Sequence, residues 1–249
     1  MVNNSVDISI IVPAYYAEKY IGKNLQGLVR TLKKTGKSFE VICVVDGRAD
    51  KTYQNAKVVE KAYPNQVYVF GYKKNEGKGY AVRYGMKKAR GKILGFVDSG
   101  NEIKPESLAN LLKIQKERNA DIVVGSKWHP DSNTVYPFFR KLLSFGYLFL
   151  VKALFDIKVS DTQAGIKIFK REVIKNVLPR LNIKGYAFDI EILTCARKLG
   201  FTDIYEAPIK VTKGIQKEDY SMPLFSVVNA TISMFWDTLL LRRKRGKGK

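Results

Sequence analysis

The sequence predicts an α/β protein with a mostly parallel central sheet flanked by helices. Three observations carry that class. Short apolar runs rich in Val and Ile alternate with segments of helical period. The polar, glycine-bearing clusters fall just after those apolar runs, where α/β sheets gather their ligands. The length of 249 residues suits one large α/β domain.

The elements follow in order. Residues 7–12 (DISIIV) read as a strand, and 18–34 as a helix with Leu25, Leu28, Val29 and Leu32 on one face. Residues 39–45 (FEVICVV) form a second strand and 50–62 a helix; 67–71 (VYVFG) is a third strand, followed by helix 78–89. Strand 92–97 comes next, then a helix over about 105–117 and strand 121–125 (DIVVG). Strands joined by crossover helices pair in parallel and are covered on both faces. Past residue 130 the pattern changes, without a repeat or a Ser/Gly linker, so 130–222 reads as an extension of the same domain. A further helix is expected over 188–199.

The bulk numbers narrow the partners. Lys plus Arg number 44 against 23 Asp plus Glu, a net charge of +21. Such an excess calls for an anionic partner: nucleic acid, an acidic membrane or phosphorylated small molecules. Nucleic acid is not expected, because the cations are not gathered in one motif with stacking aromatics and no zinc or helix-turn-helix pattern is present. His129 is the only histidine, which excludes a histidine-rich metal site. Cys43 and Cys195 read as core thiols of a reducing compartment. MVNNSVDISIIVPAYY lacks the basic n-region of a signal peptide.

Two loops carry chemistry. In NEGKGYAVR, residues 75–83, glycines permit close backbone approach, and Lys78 and Arg83 can face phosphate oxygens near a helix N-terminus. A plain turn with surface charge fits the same residues. In FVDSGNE, residues 96–102, a buried strand stops at Asp98, and Asn101 and Glu102 follow. A hard cation is commonly held by one or two carboxylates plus substrate phosphates and water, so Asp98, Asn101 and Glu102 are candidate ligands of Mg²⁺ or Mn²⁺. A strand-terminal Asp that only caps a turn is the alternative.

Seven segments in register carry a resemblance: VPAYYAEKYIGKNL, VVDGRAD, NEGKGYAVRYGMKKARG, FVDSGNEIKP, VVGSKW, SDTQAGIKIFK and GYAFDIEIL. In this order and spacing the chain resembles glycosyltransferase family 2 over roughly residues 6–215. Within that family it is most similar to the dolichyl-phosphate sugar synthases, the glucose branch more than the mannose branch. The resemblance implies a GT-A fold, a nucleotide diphosphate sugar donor, a divalent metal and inverting transfer to a polyprenyl phosphate. It implies that Pro13, Ala14 and Tyr15 line the nucleoside pocket, Asp46 binds the base and Lys78 lies near the donor phosphates. It places Asp98 on the metal with Glu102 as a further ligand, Lys127, Arg140 and Ser144 on the acceptor phosphate, and Gln163 and Asp189 around the sugar. UDP-glucose is the expected donor, on the likeness around Asp161–Gly165. The chain departs from the pattern at Tyr16 and Ala17, where the family has Asn and Glu, at Val45, where it has a first Asp, and at Gly100, where it has the second metal Asp.

A phosphate acceptor needs no protein base, since its second pKa is about 6 and it is largely dianionic at neutral pH. A hydroxyl acceptor would need one, and Asp189 is then the candidate; a helix cap is its structural alternative. Residues 138–155 (FFRKLLSFGYLFLVKALF) are apolar nearly all round, broken by Arg140, Lys141 and Lys152, and their uncharged run, 142–151, is far shorter than the ~20 residues that cross a bilayer. They are read as a core helix or as one lying in the membrane interface. Residues 223–249 are read as an amphipathic helix and a polybasic tail with Arg242, Arg243, Lys244, Arg245, Lys247 and Lys249, suited to an anionic membrane surface, or else packed on the domain. The expectation is one domain over 1–222, a nucleotide-sugar half (1–129) followed by an acceptor half (130–222), peripheral on the cytoplasmic face of a membrane. A family 2 transferase acting on a glycan hydroxyl and a membrane-bound non-catalytic relative are the alternatives.

Overall fold

Alternation along each strand decides which side of the sheet a residue serves. In β1 (Ile8–Ala14), Ile8, Ile10, Val12 and Ala14 enter one apolar core, and Ile11 the other. In β2 (Phe39–Asp46), Val41, Cys43 and Val45 join the first core, Ile42 and Val44 the second. Strands buried on both faces read as continuous apolar runs, which is why these were legible. The computed structural model describes residues 6–100, 102–132, 154–155, 157, 159–212 and 237–238.

The remaining elements are α1 (Ile21–Lys33), α2 (Thr52–Ala62), β3 (Val67–Tyr72), α3 (Lys78–Lys88), β4 (Ile93–Val97), α4 (Ser107–Arg118), β5 (Ile122–Ser126), β6 (Ile166–Lys170), α5 (Arg171–Val177), α6 (Phe188–Lys198) and β7 (Ile204–Pro208). The strands form one sheet in the order β3-β2-β1-β4-β6-β5-β7. All pairs are parallel except those of β6, which runs antiparallel to β4 and β5. Helix α1 buries Ile21, Leu25, Leu28, Val29 and Leu32, the stripe its period calls for. Helix α4 ends at Asn119 in the left-handed conformation, which an Asn tolerates at a helix C-terminus.

β6 and β7 go beyond the five strands that hydropathy gives. In β6 the sequence IKIFK puts a lysine, Lys167, at a fully buried position between Ile166 and Ile168, so the apolar run is broken where the strand is most buried. In β7 the sequence IYEAP carries Glu206 and ends on Pro208, a composition tolerated on a sheet edge.

A second buried charge pins the far end of the sheet. Glu40 of β2 accepts from the Ser9 hydroxyl (2.7 Å), from the Arg90 backbone N–H (2.7 Å) and twice from the Arg90 guanidinium (2.9 and 2.7 Å). The end of the 138–155 run, Leu154 and Phe155, packs with the second core. In the C-terminal segment Thr238 is buried, and Asp237 lies against Gly185. Most of 138–155 and of 223–249 lies outside the described residues. Among the described residues no helix is long and apolar enough to cross a membrane.

Candidate functional site

A cleft of about 490 Å³ opens where the parallel strands end. β1 supplies Pro13 and Ala14 and leads into Tyr15; β2 supplies Asp46; the loop before α3 supplies Asn75, Gly77 and Lys78. Asp98, Gly100 and Glu102 follow β4, Lys127 follows β5, and Gln163 and Gly165 precede β6. Gly185 and Tyr186 close the cleft from the turn before α6. The structure thus brings most of the expected residues to one place.

Two turns set the donor side. Asp46 is 3% exposed, and its two carboxylate oxygens accept from the backbone N–H of Glu76 (2.7 Å) and Gly77 (2.9 Å). It holds the loop that presents Lys78, as well as bordering the cleft. Gly77 has φ of 97°, and a Cβ there would lie 2.5 Å from the Lys184 carbonyl oxygen, so glycine is required on both counts. Tyr16, which stands where the resemblance calls for Asn, has φ of 48° and sits edge-on to Tyr15 with ring centroids 4.5 Å apart.

Four charges run from the interior to the cleft in alternating sign. The Lys167 ammonium donates to Asp189 Oδ1 (2.5 Å) and to the Ala164 carbonyl (2.8 Å). The Lys78 ammonium donates to Asp189 Oδ2 (3.0 Å) and to Asp98 Oδ2 (3.0 Å). Side-chain exposure rises along the row from 0% at Lys167 through 3% at Asp189 and 10% at Lys78 to 42% at Asp98. Although the Asp98 side chain is 42% exposed overall, its Oδ1 is buried, and the loss of water there pushes the carboxyl up, with the Lys78 ammonium only partly offsetting it. At Asp189 burial acts in the same direction, but Lys167 and Lys78 together outweigh it and hold the carboxyl below its ordinary range. Burial likewise lowers Lys167, with Asp189 opposing, whereas at Lys78 two carboxylates overcome burial and raise the ammonium's pKa.

Two expectations change here. Asp189 does not border the cleft and caps nothing: α6 has Ala187 at its N-cap and no side-chain cap. Held between two ammonium groups with a lowered pKa, it is a poor proton acceptor and serves to hold Lys78. Arg83 also faces away from the cleft lining; its guanidinium donates to the carbonyls of Leu181 and Gly79. One turn beyond Lys78, it ties α3 to the chain before α6.

Also in the cleft lining, the Lys127 ammonium lies 3.6 Å from the Glu102 carboxylate. Asp161 accepts from the backbone N–H of Lys127 and of Gln163, both at 3.1 Å, and so spaces these two cleft residues. Glu206 in turn accepts from the Ser160 and Asp161 backbones and from the Ser160 hydroxyl. Asn101, Arg140 and Ser144 lie outside the described residues.

The donor set can be tested for a metal. Among the described residues no group of three or more His, Cys, Asp or Glu side chains is arranged as a closed metal site. Asp98 Oδ1 is buried and accepts no hydrogen bond, although it lies 3.0 Å from the Lys78 nitrogen. Glu102 borders the same cleft, and a side chain at Gly100 would meet nothing within 4 Å. One unsatisfied carboxylate oxygen, a second carboxylate and open space suit a hard cation whose other ligands come from a bound phosphate and water. Lys167, which contacts Asp189 behind the cleft, is the position that the sequence reading missed, while Asp161 and Gly165 lay in a segment it marked without giving them a contact. The only local signal was a lysine inside an apolar run.

The sheet order, with one antiparallel strand beside β4 and the cleft across the strand ends, is that of the GT-A fold. Among solved structures, a glucosyl-3-phosphoglycerate synthase from Mycobacterium tuberculosis in complex with Mn²⁺, UDP and phosphoglyceric acid superposes with a TM-score of 0.71. It is 19% identical and covers 95% of this chain and 78% of its own. A mannosyl-3-phosphoglycerate synthase from Rubrobacter xylanophilus gives 0.71 at 14% identity, covering 98% and 76%. These likenesses establish the fold.

The family model of glycosyl transferase family 2 matches residues 9–178, and the chain belongs to that family. A dolichyl-phosphate beta-glucosyltransferase of Dictyostelium discoideum is 33% identical over 208 residues, 79% of this chain and 64% of the relative. The human protein of the same description is 32% identical over 203 residues, 76% and 63% respectively. The match therefore spans just under two thirds of these relatives' length.

Proposed function

We propose that this protein is an inverting glycosyltransferase that moves a hexose, glucose, from UDP-glucose to a polyprenyl phosphate of the dolichyl type at a membrane surface. The observation that carries this reading is one cleft lined by two lysines, each beside a carboxylate: Lys78 beside Asp98 and Lys127 beside Glu102. Two anionic reactants lying side by side need cations such as these to offset their mutual repulsion. The names of the relatives support the sugar and the acceptor, and the UDP-bound neighbours support the donor.

In this reading Pro13, Ala14 and Tyr15 flank the nucleoside, and Asp46 keeps the loop of Lys78 in place beneath it. Lys78 faces the diphosphate and balances charge that grows on the leaving group. Asp98 and Glu102 would hold Mg²⁺ or Mn²⁺, which when bound adds charge neutralisation at the same diphosphate. Gln163 borders the sugar. Lys127, with Arg140 and Ser144, holds the acceptor phosphate, whose oxygen attacks the anomeric carbon from the face opposite the departing diphosphate. The acceptor enters as a dianion, so no proton need be removed, consistent with Asp189 being engaged elsewhere. The cleft's work is positioning.

The net charge of +21 and the basic residues 242–249 support peripheral attachment to the anionic cytoplasmic face of a membrane, at ~1 kcal/mol per basic residue near the surface. Residues 1–129 then supply most of the donor contacts and 130–222 most of the acceptor contacts, with Lys127 and Gln163 crossing that division. The test is transfer of radiolabel from UDP-glucose into polyprenyl phosphate. The expected product is organic-extractable and labile to mild acid. Label appearing only in water-soluble or acid-stable glycan would overturn the acceptor assignment.

A further inference from the structure

Lys167 is the most buried charge among the described residues, and nothing in the reading above uses it. Its side chain is 0% exposed, in a strand whose neighbours Ile166, Ile168 and Phe169 are all fully buried. A methionine or isoleucine would suit that place. Buried ion pairs add little net stability compared with well-packed apolar side chains, so folding alone gives no reason for an ammonium here.

The geometry supplies a reason. The Lys167 nitrogen binds the Ala164 carbonyl, at the turn whose next residue, Gly165, accepts from the Asp98 backbone N–H (2.7 Å) and lies against the Asp98 side chain. It also binds Asp189 Oδ1, while Lys78 binds Asp189 Oδ2. Two lysines thus share one carboxylate, and Lys78 in addition contacts Asp98 at the cleft. Remove the charge at 167, and Asp189 has only Lys78 to neutralise it. The ammonium would then be drawn inward, away from any anion in the cleft.

We propose that Lys167 is a positioning residue for the donor diphosphate: by saturating the inner oxygen of Asp189, it leaves the Lys78 ammonium directed into the cleft. The inference rests on the donor-site reading above and adds a residue to it. Lys167 touches no substrate, and its whole effect passes through Asp189 and Lys78.

The test is calorimetric binding of UDP and of uridine, with Mn²⁺ present, to the wild-type chain, Lys167→Met and Lys167→Met/Asp189→Asn. Lys167→Met should weaken UDP about tenfold, the equivalent of about 1.4 kcal/mol, and leave uridine unchanged. Replacing Asp189 as well removes the inward pull, so the double variant should recover UDP affinity to within about threefold of wild type, or roughly 0.7 kcal/mol. A merely structural lysine would weaken UDP and uridine alike, whether or not the double variant recovers stability. That result, a double variant that does not recover UDP affinity, or UDP binding unaffected by Lys167→Met, overturns the proposal. Should Lys167→Met fail to fold, the charge-balanced double variant decides alone, and a loss of UDP binding beyond threefold refutes it. If the wild-type chain binds neither nucleotide nor nucleoside, the donor reading fails. The comparison then passes to inorganic pyrophosphate, which needs Lys78 but no nucleoside pocket. A tenfold loss with Lys167→Met keeps the positioning role, and an equal or absent affinity removes it.

Discussion

Gly165 offers a direct way to displace Asp98 without altering its chemistry. A Cβ on Gly165 would lie 2.0 Å from Asp98 Oδ2, 2.4 Å from Cγ and 2.9 Å from Cβ, whereas ordinary contacts begin at 3.4 Å. The carboxylate of Gly165→Ala must therefore move by more than about 1 Å. The backbone cannot yield readily, because the Asp98 N–H donates to the Gly165 carbonyl at 2.7 Å and β4 pairs with β6 just before it. The side chain must leave its rotamer and its 3.0 Å contact with Lys78. Overpacking of this kind costs ~1–3 kcal/mol, and each kcal/mol lowers the melting temperature by about 2–4 °C in a chain of this size. A misplacement of about 1 Å at a reacting group costs ~10²-fold in rate. Transfer from UDP-glucose to polyprenyl phosphate should thus fall ~100-fold in a protein that still melts cooperatively. Gly22→Ala is the control: its Cβ would meet nothing within 4 Å, its φ is not left-handed and it does not border the cleft, so the rate should stay at the wild-type value and the melting temperature should not fall. Turnover of Gly165→Ala within about threefold of wild type would refute the claim that Asp98 works from this position.

Two further outcomes separate scaffold from site. Glu40→Ala strands the Ser9 hydroxyl and the Arg90 donors and should cost about 2–4 kcal/mol in urea unfolding. Glu40 does not border the cleft, so uridine affinity should be unaffected, and a parallel loss of binding would contradict the separation. Burial pushes the Cys43 thiol up to about 12 from an ordinary 9.0. The folded protein then holds its thiol proton where the unfolded chain loses it, so this group's contribution makes stability fall as the pH climbs past 9. Alkylation of Cys43 at pH 8.5 should accordingly proceed no faster than unfolding, and labelling at the rate of a small thiol would disprove its burial.

Much of the donor half was legible because its information is local. Doubly buried strands make unbroken apolar runs, α1 announces its stripe through Leu25, Leu28, Val29 and Leu32, and ligand-facing residues follow strand ends, which put Asp46, Lys78 and Asp98 at one cleft. Residue type also singled out Lys78 as a candidate phosphate contact and Asp98 as a candidate metal ligand, and the fold brings the two together at one cleft. Reading by residue type went wrong where a cation had a choice of partner. Arg83 carries the same charge as Lys78 yet is spent on the Leu181 carbonyl, 98 residues away.

What the amino-acid order determined by itself was the alternation of elements, the cationic excess and the loops that end each strand, all properties of a residue and its near neighbours. Only the tertiary structure decided that β6 slots antiparallel between β4 and β5, and that Lys167 and Lys78, the latter 111 residues from Asp189, close on that one carboxylate. A buried charge has no signature of its own in a sequence. Whether it is paired depends on groups that the fold brings within about 3 Å, and the Coulomb energy that makes the pairing obligatory exists only once water has been excluded.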